Sequence, residues 1–176
     1  MRESHRSNRI APREPINLTE WTSRTDRGHK GRLFTCGRPG RAIFGQKRLP
    51  VECVIIDNWV EGLPGAEVWH IVSLLGRKKD GFSEFGYYPF RSAKEPGEKP
   101  TFQEWFDQRY QYGRFIVHEF PTTDARGIPS DVAEAAKGCV LDLLESSRNV
   151  VVLDSAGAER TARICEAIGY KKVNQR

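Results

Sequence analysis

Val150-Val151-Val152-Leu153-Asp154-Ser155-Ala156-Gly157-Ala158-Glu159-Arg160-Thr161 joins a strand to a helix through a tight turn. Three valines followed by leucine suit a buried strand, because β-branched side chains fit a covered, pleated surface. Apolar Ala162, Ile164, Cys165 and Ile168 follow at helical spacing. Gly157 allows the turn geometry between the two. A junction of this kind aims several backbone N–H groups at one point, and the positive end of the helix dipole reinforces them. The stretch therefore predicts an anion cradle.

Working outward, the residues before it alternate strands and helices. Val51 to Ile56 and His70 to Leu75 are apolar runs expected as strands, and Phe115 to Phe120 is a third. Shorter strands are expected at Arg32–Thr35, Arg41–Phe44 and, on a sheet edge because of Pro89, Tyr87–Phe90. Trp59, Leu63 and Val68 suggest a short helical face broken at Pro64-Gly65. Thr101 with Glu104 forms a capping-box pattern for a helix whose apolar side is Phe102, Trp105 and Phe106. Ser130 is expected to cap a longer helix with a stripe of Val132, Ala136, Cys139, Val140, Leu143 and Leu144. Strands without clean polar alternation, interleaved with helices, indicate an α/β fold: a mostly parallel central sheet flanked by helices.

Size and composition agree. The 176 residues are 38% hydrophobic and 29% charged, which suits one folded domain with a sizeable core. No apolar run is long enough to span a bilayer. The start Met1-Arg2-Glu3-Ser4-His5 lacks a signal-type apolar stretch, so a cytoplasmic location is expected. Cys36, Cys53, Cys139 and Cys165 are widely separated and show no zinc-ligand spacing, and neither metal nor cofactor is implied. Residues 1–50 carry twelve Lys and Arg against four Asp and Glu; the other 126 carry sixteen against nineteen. The basic character belongs to the N-terminal region. Residues 1–30 are expected as a basic, partly disordered arm, with Trp21 able to anchor it, and 31–176 as the folded domain. The arm could meet nucleic acid or an acidic partner, although no nucleic-acid-binding motif accompanies it. The loop with Arg38 and Arg41 could touch phosphate or be a solvated turn.

The stretch 153–161 resembles the signature of the cysteine-dependent protein tyrosine and dual-specificity phosphatases. That signature is His-Cys, five residues, Arg, then Ser or Thr. Here Ser155-Ala156-Gly157, Arg160 and Thr161 match, but Leu153 stands in place of the histidine and Asp154 in place of the cysteine. The resemblance implies a dual-specificity-phosphatase-like fold with the phosphate loop at the carboxyl edge of the sheet. It implies that Ser155, Ala156, Gly157, Ala158, Glu159 and Arg160 would bind a phosphoryl group. In the family the hydroxyl matched by Thr161 assists the leaving thiolate. The stretch from Phe120 to Pro129 resembles the family's acid loop, which makes Asp124, thirty residues before Asp154, the general-acid candidate. The family continues through further helices after this loop, but sixteen residues follow Arg160 here. Cover for one sheet face is therefore expected from the long N-terminal region.

A thiolate suits such a cradle; a carboxylate there repels a dianionic phosphate and can itself accept the N–H bonds. Three classes stay open. One is a catalytically impaired phosphatase-like protein with a phosphate-binding loop, whose partner is a phosphorylated protein or other phosphomonoester. Another is an active phosphatase represented by a Cys-to-Asp variant at 154. The last is a non-enzymatic binding domain that uses the basic N-terminal region.

Overall fold

The computed structural model describes residues 18–23, 30–41, 51–75, 81–83, 86–88, 102–110, 113–122 and 127–173. Its elements in order are strands β1 (Thr19–Ser23), β2 (Leu33–Gly37) and β3 (Val51–Glu52), helix α1 (Cys53–Glu61), a short 3-10 turn (Pro64–Ala66), and β4 (His70–Ser73). Then come β5 (Gly81–Ser83), β6 (Gly86–Tyr88), α2 (Phe102–Arg109), β7 (Ile116–Glu119), α3 (Ser130–Glu145), β8 (Val150–Asp154), α4 (Glu159–Ala167) and β9 (Tyr170–Lys172).

The main sheet has six strands in the order β7-β4-β8-β2-β1-β9. β7, β4, β8 and β2 run parallel, and β1 is antiparallel to both β2 and β9. β8 lies inside the sheet with all five residues buried, as the apolar run Val150–Leu153 requires, and Asp154 at its end is buried with them. Its alternate residues separate two cores. Val151 and Leu153 pack with Ile55, Ile56, Trp59 and Val60 of α1 and with Trp105 and Phe106 of α2. Val150 and Val152 pack with Ala136, Val140 and Leu144 of α3 and with Ile164 and Cys165 of α4. The result is the expected mostly parallel sheet flanked by helices on both faces. No helix among the described residues is long and apolar enough to cross a membrane.

Several local expectations are corrected. Val51–Ile56 is a strand only at Val51–Glu52; the rest starts α1. Ile55, Ile56, Trp59 and Val60 are buried while Val54 is exposed, which is one face of a helix. Packing that face on the sheet overrides the strand preference of Val and Ile. Cover for this sheet face comes from α1 and α2. β6 ends at Tyr88 and is the middle strand of a small antiparallel sheet, β3-β6-β5, where an edge was expected. Ser130 does not cap α3: Pro129 holds the cap position, with no side-chain cap bond, and Ser130 is already helical. The expected strand from Arg41 lies mostly outside the described residues, as does Thr101 of the expected capping box. β1 lies within the stretch expected as an arm. There Trp21 is buried, and its indole N–H donates to Thr35 Oγ1 at 3.0 Å.

Candidate functional site

The parallel strands β4, β8 and β2 all end on one side of the sheet. Asp154 closes β8, in register with Gly37 of β2, and Leu153 is in register with Ser73 of β4. The turn 155–158 then leads into α4. Gly157 holds φ +69°, and a Cβ there would lie 2.2 Å from the backbone N of Gly37 and 2.3 Å from the carbonyl carbon of Cys36. Only glycine fits, because the turn lies directly on the end of β2 and needs a left-handed conformation.

Asp154 is 2% exposed, and its carboxylate fills the inside of the turn. Oδ1 accepts the backbone N–H of Ala156 at 2.8 Å and a short bond from the N–H of Gly157. Oδ2 accepts the N–H of Thr161 at 3.4 Å, and Arg160 Nε lies 3.6 Å from it. A buried charge needs this kind of compensation: three N–H dipoles, the start of a helix and a cation. Arg160 Nη1 donates to Thr122 Oγ1 at 2.6 Å, and the Thr122 hydroxyl donates to the carbonyl of Leu74 at 2.6 Å. Thr161 is fully buried, and its hydroxyl donates to the Ala158 carbonyl at 3.2 Å.

The structure thus brings Asp154, Ala156, Gly157, Arg160 and Thr161 onto one point. Ser155 and Ala158 shape the turn. The side chain of Glu159 leaves it for solvent, pairing with Arg163 at 2.7 Å. Asp124 lies outside the described residues. The loop after β2 is not a solvated turn: Arg38, Pro39 and Gly40 are buried, and Arg38 Nη1 lies 3.4 Å from the Pro39 carbonyl. Cys165 is buried, and burial pushes its thiol pKa well up, so it presents no thiolate. Among the described residues, no three His, Cys, Asp or Glu side chains form a cluster able to hold a metal ion.

Thr122 is the participant that the sequence left unmarked. It lies in the Phe120–Pro129 stretch, but nothing local distinguishes it from Thr123. Strand order could have found it, since β7, β4 and β8 are successive parallel strands, so the segments that follow them leave the same side of the sheet.

No protein-family model matches the chain, and no curated protein sequence matches it. Among solved structures the fold matches kinase associated phosphatase (KAP), carrying a substitution of its catalytic site cysteine to a serine. The TM-score is 0.58 at 15% sequence identity, over 88% of this chain and 73% of that one. At that identity the likeness concerns the fold, which is dual-specificity-phosphatase-like.

Proposed function

We propose that this is a catalytically impaired protein tyrosine or dual-specificity phosphatase-like protein, in which the phosphate loop is closed by its own carboxylate. The observation that carries this is the position of Asp154: its two oxygens take the N–H groups of Ala156, Gly157 and Thr161. A phosphoryl group entering the turn would need those donors. It would also meet a negative charge, at about 4 kcal/mol for each unit pair ~4 Å apart in an effective dielectric of ~20. As a nucleophile the carboxylate is poorly placed, because it is buried and its oxygens face inward onto the turn. The protein then works by binding a partner; a phosphorylated protein is the class that the phosphatase-like fold favours, with its phosphate held outside the closed turn.

Hydrolysis of an aryl phosphate tests this. The chain with Asp154 is expected to show no turnover. Asp154→Cys restores it where the cradle is otherwise intact, and adding Arg160→Ala removes it again. Turnover by the Asp154 protein that disappears in Asp154→Asn would overturn the proposal.

A further inference from the structure

We propose that Thr122 is the positioning residue of the anion loop, aiming the guanidinium of Arg160 at the cradle. This rests on reading the turn 154–161 as an oxyanion cradle, and it adds a residue that no local pattern marks. Thr122 is 3% exposed and lies just beyond β7. Its hydroxyl stands between two groups of fixed polarity. A carbonyl only accepts and a guanidinium only donates. The Thr122 proton therefore goes to the Leu74 oxygen at 2.6 Å, and an oxygen lone pair faces Arg160 Nη1 at 2.6 Å.

That arrangement sets the direction of the planar group. Nη1 is held toward the end of β4, while Nε lies 3.6 Å from Asp154 Oδ2. An oxyanion is gripped by two neighbouring guanidinium nitrogens acting together. With Nη1 fixed on Thr122, the edge that carries Nε addresses the cradle. Arg160 is a long side chain at the start of α4, and one hydroxyl from another part of the chain restricts its rotation. The same bond ties the segment after β7 to the first turn of α4, thirty-eight residues later. Valine has the shape of threonine without the oxygen and would leave both Nη1 and the Leu74 carbonyl without this partner. Serine keeps the oxygen.

Two experiments on the full chain test this. The first follows the Arg160 guanidinium by 15N NMR in the protein with Asp154. Thr122→Val is expected to broaden or shift the Arg160 side-chain signals, and Thr122→Ser to keep them. Thr122→Ala must behave like the valine variant, which separates loss of the oxygen from disturbed packing. Unchanged Arg160 signals in the valine and alanine variants overturn the proposal. The second removes the plug with Asp154→Ser and titrates tungstate as a phosphate mimic. Thr122→Val on that background is expected to weaken tungstate about tenfold, and Thr122→Ser less than about threefold. Equal affinity for the threonine and valine forms overturns the positioning role. Absence of tungstate binding by Asp154→Ser itself counts against the cradle reading instead, and the NMR comparison then decides the role of Thr122.

Discussion

At Asp154 a charge sits where almost no water reaches, and it is stable there because the turn is built of donors. Asp154→Asn keeps the size but presents an amide N–H₂ to a site that offers N–H groups and a guanidinium. We expect a loss of about 1–3 kcal/mol, measured by urea unfolding. A second residue-scale prediction concerns His70 and His118. His70 Nδ1 and His118 Nε2 are 3.3 Å apart, with rings stacked at 5.7 Å. One of the two nitrogens must accept the bond, so at least one ring is neutral there. Burial lowers the pKa of both rings, and for His70 the neighbouring His118 and Arg148 lower it further. Below the ordinary imidazole value of about 6.5 the unfolded chain therefore binds more protons than the folded one. Stability is full above that pH and falls as the pH drops from there through the folded-state values. The urea midpoint should decline as the pH falls below about 6.5, and His118→Phe should flatten the decline.

Strand β7 is an edge of the main sheet, and the element beside it closes that edge. Gln103 of α2 acts as a substitute strand: its Oε1 accepts the Val117 N–H at 2.6 Å and its Nε2 donates to the Phe115 carbonyl at 3.0 Å. Glu119 returns the contact by accepting the Phe102 N–H at 2.7 Å. Open edges recruit other chains, so this is protection as well as packing. Gln103→Ala should cost about 1–2 kcal/mol in urea unfolding and raise self-association in sedimentation velocity. Wild-type stability and a purely monomeric boundary in that variant would show that the edge needs no cover. The same scale contains the misread element. Val51–Ile56 looks like a strand in isolation, and it becomes a helix start because Ile55, Ile56, Trp59 and Val60 then face one core.

Across the whole molecule, the sheet closes by joining distant ends of the described chain. β1 sits between β2 and β9, so the last strand depends on the first. Trp21 of β1 and Tyr170 of β9 belong to the same core as Ile164 and Cys165 of α4. A chain beginning at Gly31 would lose β1, leaving β9 without its partner and the core without Trp21. It should unfold at clearly lower urea than a chain beginning at Leu18, by circular dichroism. Equal midpoints would mean that β1 adds nothing to the domain.

Much of the site was legible because its parts lie within a few residues of one another. The run Val150–Leu153 could only be a covered strand, and Gly157 and the spacing of Ile164, Cys165 and Ile168 placed a turn and a helix after it. The aspartate standing where the resembled phosphatase signature has cysteine was visible by inspection, and so was the arginine six residues later. Local geometry alone brings those N–H groups and that carboxylate together. The tertiary structure decided what depends on strand order and on faces. It brought Thr122 and Leu74 to Arg160, made a helix of Cys53–Glu61, set β1 between β2 and β9, and laid Gln103 along β7. Those contacts join residues far apart in the chain, and their free energy comes from burying surfaces that exist only once the sheet has formed.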